Sequence, residues 1–165
     1  MVLDICLESG RVIGIGKLKI FITDNFPYEI PTLSFLVAKN QDGKFISTCI
    51  QLLIDGEGET PDSSIKDLEN KILDYLNIVF STDNKRKSWD ILHNSFNDDF
   101  SSNYWKAYRN FQLNLAEKGI STNSKSALYK LITKLKKQIS DLEEVTNKTE
   151  HGIELKLVDY QENAA

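Results

Sequence analysis

Catalysis needs a nucleophile beside a base, paired carboxylates in different surroundings, or a cluster of metal ligands. Side chains able to fill those roles are sparse in this sequence. His93 and His151 stand far apart, and neither is spaced with cysteines or acids as a metal set would be. Asp98-Asp99 falls in a predicted turn, where Asp bonds nearby backbone, and Glu143-Glu144 falls on the outside of a predicted helix. Carboxylates placed that way solvate a surface. There is no Cys-x-x-Cys pair and no serine-nucleophile elbow. Asp42, Asp55 and Glu57 are the acids that a metal-dependent reaction on a small sheet would use, and that reading ranks last of those weighed. Gly10-Arg-Val-Ile-Gly-Ile-Gly16 resembles a phosphate-cradling loop only loosely, because its spacing fits neither the dinucleotide nor the P-loop pattern and no helix start follows. The expectation is therefore a protein that is not an enzyme and holds neither metal nor cofactor.

The elements that would position these residues centre on Leu33 to Phe80. Two apolar runs, Leu33–Lys39 and Lys44–Ile50, flank Asp42-Gly43, a strong hairpin signal because glycine reaches positive φ without a Cβ clash. Phe35 and Val37 share a face of the first run. In the second, either Phe45, Ser47 and Cys49 or Ile46, Thr48 and Ile50 line one face, and pattern alone leaves the choice open. A glycine-rich passage, Asp55–Pro61, leads to a helix. Thr60 can cap it, Pro61 suits its first position and Asp62 suits its positive end. Ile65, Leu68, Ile72, Leu76 and Val79 then recur at helical spacing as one apolar stripe. A sheet covered on one side by that helix is the simplest way to bury the stripe.

The order Asp42-Gly43-Lys44-Phe45-Ile46-Ser47-Thr48-Cys49, then Leu52, then Gly58-Glu59-Thr60 and a helix through Leu68, resembles the N-terminal domain of HicB-type antitoxins. Ile50-Gln51 and Ser63-Ser64 depart from that family's pattern, and the first thirty residues have no counterpart in it. The resemblance implies an α+β fold, a small antiparallel sheet covered by one helix, of the truncated RNase H-like kind without its catalytic acids. It also implies a partner, a small ribonuclease toxin held inactive, and a separate segment for binding operator DNA. The partner-binding residues would be Phe45, Ser47, Cys49, Leu52, Asp55 and Glu57, on the edge beside Phe45–Ile50 or in the Gln51–Glu59 loop.

Around this unit, Val2–Leu7 and Arg11–Thr23 read as a hairpin about Ser9-Gly10, with a bulge where the apolar parity changes across Gly16. Pro27 and Pro31 make residues 24–31 a connector. Ser81–Ser88 is polar and aperiodic and divides the chain into a domain of residues 1–80 and a mainly helical segment of residues 81–165. In the latter, Trp89, Leu92, Phe96 and Phe100 suggest a short helix and turn. Ser101 or Ser102 caps a second helix carrying Trp105, Tyr108, either Phe111 or Gln112, and Leu115, and ending at Gly119. Leu128, Ile132, Leu135, Ile139 and Leu142 form a heptad seam, suited either to self-association through residues 125–146 or to packing on its own domain. Lys130, Lys134, Lys136 and Lys137 on that helix are the candidates for nucleic-acid contact, although a short charge run is more often a solvated face. Ile153 to Tyr160 alternates as a last strand, with Gln161–Ala165 expected to fray.

The chain has 165 residues, 41% hydrophobic and 27% charged, enough for a buried core and far from the composition of a disordered chain. A net charge of −4 argues against a general nucleic-acid binder. No apolar run approaches the roughly 20 residues that span a bilayer. No secretory leader is visible, so the expected location is cytoplasmic, with Cys6 and Cys49 as small buried hydrophobes.

Overall fold

A computed structural model of the chain describes residues 5–22, 32–81, 84–96, 99–120 and 153–162. Its elements are β1 (Cys6–Leu7), β2 (Gly10–Ile22), β3 (Leu33–Lys39), β4 (Phe45–Cys49), β5 (Ile54–Gly58), α1 (Pro61–Val79), α2 (Lys85–Ser95), α3 (Asn103–Ile120) and β6 (Ile153–Glu162). The class is α+β, as expected. Every described strand pairing is antiparallel, and β2 to β5 form a meander. The other edge of β2 takes β1 near its start and β6 along the rest.

Both predicted hairpins form. Between β3 and β4, Gly43 adopts φ +80 and the Asn40 carboxamide oxygen accepts the Lys44 amide at 2.9 Å. Helix α1 starts where its sequence says it should. The Thr60 hydroxyl accepts the Ser63 amide at 3.1 Å while the Ser63 hydroxyl accepts the Thr60 amide at 3.0 Å, a reciprocal cap, and Pro61 occupies the first turn. Ile65, Leu68, Ile72, Leu76 and Val79 are all buried. Each contributes roughly 1.5–3 kcal/mol relative to exposure.

Five features differ from the sequence expectation. First, the sheet is covered on both faces. Helices α1 and α2 bury Leu18, Ile20, Phe35, Val37 and Cys49 on one side, whereas α3 buries Val12, Ile15, Leu36 and Ile50 on the other with Ala107, Tyr108 and Phe111. This explains the parity of β2: Ile15 serves one core and Leu18 the other, and the bulge against β3 lies between Val12 and Gly14, not at Gly16. Secondly, the passage after Ile50 is a tight turn followed by strand β5, so β4 is an internal strand and, among the described residues, β5 is the edge. Thirdly, the polar stretch after Phe80 is helical from Lys85, because the Asn84 side chain accepts the Lys87 amide at 3.1 Å and Ser88 is buried. Leu92 of α2 joins the α1 core and β6 joins β2, so the parts on either side of residue 80 share one sheet and one core. Fourthly, α3 continues past Gly119 to Ile120, and β6 includes Gln161 and Glu162. Fifthly, Cys6 is exposed; only Cys49 is buried.

Candidate functional site

The residues expected to bind a partner lie on β4, β5 and the turn joining them. Strand β4 turns Phe45, Ser47 and Cys49 toward α1, which settles the choice of face. Ser47 and Cys49 are fully buried, so both are corrected from surface contacts to core groups. Ser47 is tolerated there because its hydroxyl is 2.6 Å from that of Ser64 on α1, and Ser64 in turn donates to the Pro61 carbonyl at 2.7 Å. Burial pushes the Cys49 thiol up to about 11, away from the reactive thiolate. Phe45 is half-buried with the Lys39 ammonium 5.7 Å above its ring, and Leu52 is half-buried against the core.

Asp55 and Glu57 are exposed, on the face of β5 turned away from α1. The alternate residues, Gly56 and Gly58, lie against the helix. A methyl group at Gly56 would run into the backbone of Ser64 and Leu68, and one at Gly58 into Ser63. Here the absence of a side chain is a packing requirement: it lets α1 lie directly on β5. Glu57 faces Lys44 at 3.7 Å. Asp55 is close enough to Tyr104 of α3 that, after burial, it is the next cause raising the tyrosine hydroxyl, with Glu8 third.

Close packing of α1 also closes the outer edge of β5. The Asp67 carboxylate accepts the Glu57 amide at 2.9 Å, the Lys71 ammonium donates to the Asp55 carbonyl at 3.0 Å, and the two side chains pair at 3.1 Å. One acceptor and one donor, one helical turn apart, thus stand where a neighbouring strand would offer its own carbonyl and amide. The Glu57 amide, then Lys71, hold the Asp67 carboxyl below its ordinary range. Pattern reading misses this pair, because Asp67 and Lys71 simply fall off the apolar stripe of α1.

It missed Leu53 as well. This residue has φ 53 and is 56% exposed, while its amide donates to the Cys49 carbonyl at 2.9 Å to close the β4–β5 turn. A leucine in the left-handed region is costly and uncommon. No glycine marks that turn, so nothing in the pattern announces it.

The remaining chemical candidates do not converge. His93 stacks on Trp89 with centroids 4.9 Å apart, and Asp99 accepts the Ser101 amide at 3.1 Å, the turn role expected of it. Asp98, His151, Glu143 and Glu144, the lysines Lys130, Lys134, Lys136 and Lys137, and the heptad seam lie outside the described residues. Among the described residues, no three His, Cys, Asp or Glu side chains gather as metal ligands do. An open cleft of about 300 Å³ lies elsewhere, between α3 and the β2–β6 pair, lined by Lys17, Tyr108, Gln112, Leu115, Asp159 and Gln161. Among the described residues, no helix is long and apolar enough to cross a membrane. Comparisons of the chain with protein-family models, with curated proteins and with solved structures gave no match.

Proposed function

We propose that this chain is a protein-binding module of the HicB-like antitoxin type, which engages a small ribonuclease toxin through the β4–β5 turn and the outward face of β5. One observation carries the reading: exposed Leu53, held in a left-handed conformation, stands beside the exposed carboxylates of Asp55 and Glu57 on an edge strand. A protein that cleaves RNA must present cations to phosphate. An acidic strip with an apolar anchor at one end complements such a surface and competes with its substrate. The reading treats Asp55, Glu57 and Leu53 as contacts, with Ser47, Cys49, Gly56 and Ser64 as the support that fixes the strand.

The test is coexpression with the product of the adjacent reading frame. The wild-type chain is expected to relieve the toxicity of that product and to copurify with it. Asp55→Lys combined with Glu57→Lys is expected to abolish both effects while the circular dichroism spectrum stays unchanged. A neighbour that is harmless and does not copurify, or a charge-reversed variant that still neutralises it, overturns the proposal.

A further inference from the structure

Lys44 stands immediately before β4, at the end of a turn that fixes its backbone. Its amide donates to the Asn40 carboxamide oxygen at 2.9 Å, and its carbonyl accepts the Asn40 amide at 2.9 Å. Phe45 is turned toward α1, so alternation sends the Lys44 side chain to the other face of the sheet, the face on which Asp55 and Glu57 lie. Ile46 is opposite Glu57 across the β4–β5 pair, which makes Lys44 the diagonal neighbour of Glu57, within reach of a long side chain. The ammonium meets the Glu57 carboxylate at 3.7 Å.

The two lysines beside β5 are held differently. Lys71 has two acceptors, the Asp55 carbonyl at 3.0 Å and the Asp67 carboxylate at 3.1 Å, and both contacts belong to the seating of α1 on the strand. Among the described residues Lys44 has one carboxylate partner, at a distance beyond the roughly 2.7–2.9 Å of a charge-assisted hydrogen bond. Its side chain is 47% exposed and that of Glu57 57%, so water screens the pair and holds its strength low. Lys44 is thus tethered over Glu57 without being locked there.

The outward face of β5 carries two carboxylates, and in the unbound chain Lys44 offsets one of them. A basic surface that approaches can meet Asp55 directly, but at Glu57 it must replace a cation already in place. A partner that also covers the exposed Leu53 offsets that loss with apolar contact; one that offers charge alone does not.

We infer that Lys44 is an intramolecular stand-in for the partner's cation. Its ammonium holds the Glu57 carboxylate in the unbound chain and is displaced when the partner seats, which weakens binding to basic surfaces in general and leaves discrimination to the contact at Leu53. The inference rests on the outward face of β5 being the partner surface, and adds to it a residue that opposes binding.

The experiment is an NMR titration of the full chain with a tetra-arginine peptide, read at the backbone amides from Leu53 to Glu57 so that binding elsewhere on the protein does not enter. Lys44→Met is expected to tighten the dissociation constant read there by about two- to fivefold, the range that an exposed ion pair supplies. Lys39→Met is the control for charge alone. It removes a cation from the same hairpin, but one that lies on the α1 side over the Phe45 ring, and its effect should stay under about twofold. In a Glu57→Gln background the advantage of Lys44→Met over Lys39→Met should vanish. Thermal melting shows that each variant is folded. Equal effects of Lys44→Met and Lys39→Met, an advantage that persists with Glu57→Gln, or no shift at these amides in any variant overturns the inference. The titration uses no toxin, so its result is read apart from the coexpression test. A chain that neutralises the toxin while Lys44→Met behaves as Lys39→Met loses the stand-in and keeps the partner surface; a chain that titrates as expected but fails the coexpression test keeps the displaceable lysine and loses the toxin as its partner.

Discussion

Gly56→Ala tests the contact on which the candidate surface rests. The added methyl points at the backbone of α1, at the Ser64 carbonyl and the Leu68 amide, and not at a side chain that can swing aside. The helix must therefore retreat from β5, or the strand must bend. Overpacking of this kind costs roughly 1–3 kcal/mol. Retreat of the helix also stretches the buried Ser47–Ser64 hydrogen bond, now 2.6 Å; Ser64 keeps the Pro61 carbonyl, and leaving the Ser47 hydroxyl without its partner adds roughly 1–3 kcal/mol. The two effects overlap, so the expected loss is about 2–4 kcal/mol, or about 4–16 °C of melting temperature for a chain of this size. Urea unfolding followed by tryptophan fluorescence measures it, and the slope against denaturant should not change. Gly43→Ala is the control: that glycine has nothing within 4 Å, so its substitution pays only for the positive φ, about 1 kcal/mol. If Gly56→Ala cost no more than Gly43→Ala, the close seating of α1 on β5 would be refuted.

Removing the acceptor in Asp67→Ala should leave global stability within a few tenths of a kcal/mol, because the side chain is exposed. Hydrogen exchange at the Glu57 amide should nevertheless quicken several-fold, as NMR would resolve. In the wild type the same protection should be full above the ordinary carboxyl range and be lost as pH falls through the depressed value of Asp67, since protonation removes the acceptor. Leu53→Gly exchanges a left-handed leucine costing about 1–2 kcal/mol for a glycine whose unfolded-state entropy costs about 0.5–1 kcal/mol, so a net gain of about 0.5–1 kcal/mol should appear in urea melts. An aromatic disulfide reagent should modify Cys6 at once and Cys49 only at the rate of unfolding, given burial and a thiol held near 11; equal rates would contradict the packing of β4.

What the sequence announced were the elements whose local preferences agree with their tertiary place. Helix α1 has its cap, its proline and its stripe in the expected order, and the β3–β4 turn has its glycine. Strand β5 was hidden because Ile54-Asp-Gly-Glu-Gly58 has little intrinsic strand character; its form comes from β4 on one side and from α1 on the other. Burial of Ser47 could not be read without its partner seventeen residues away. In β2 the alternation shifts because the two faces serve different cores, and that requires knowing that α3 covers one of them. Gly14 and Gly16 drew a phosphate-loop comparison, yet methyl groups there would strike the rings of Tyr160 and Phe35, which stack 6.0 Å apart across the strand. The site residues divide the same way: Asp55 and Glu57, which the resemblance put among the partner contacts, are exposed, while Leu53, Asp67 and Lys71 owe their interest to backbone geometry that side-chain patterning does not encode.

Strand β2 is flanked by β3 from its own neighbourhood and by β6, whose Ile153 pairs with Ile22. Synthesis delivers those two partners at very different times. While a nascent chain is still on the ribosome, the hairpins and α1 can assemble by short-range encounters, but beyond β1 that flank of β2, from Gly14 to Ile22, lacks its described strand partner until Ile153–Glu162 has emerged. Loss of β6 by a premature stop or by proteolysis should therefore leave an aggregation-prone intermediate in place of a merely shortened protein, and degradation in the cell should fall hardest on copies that lack it.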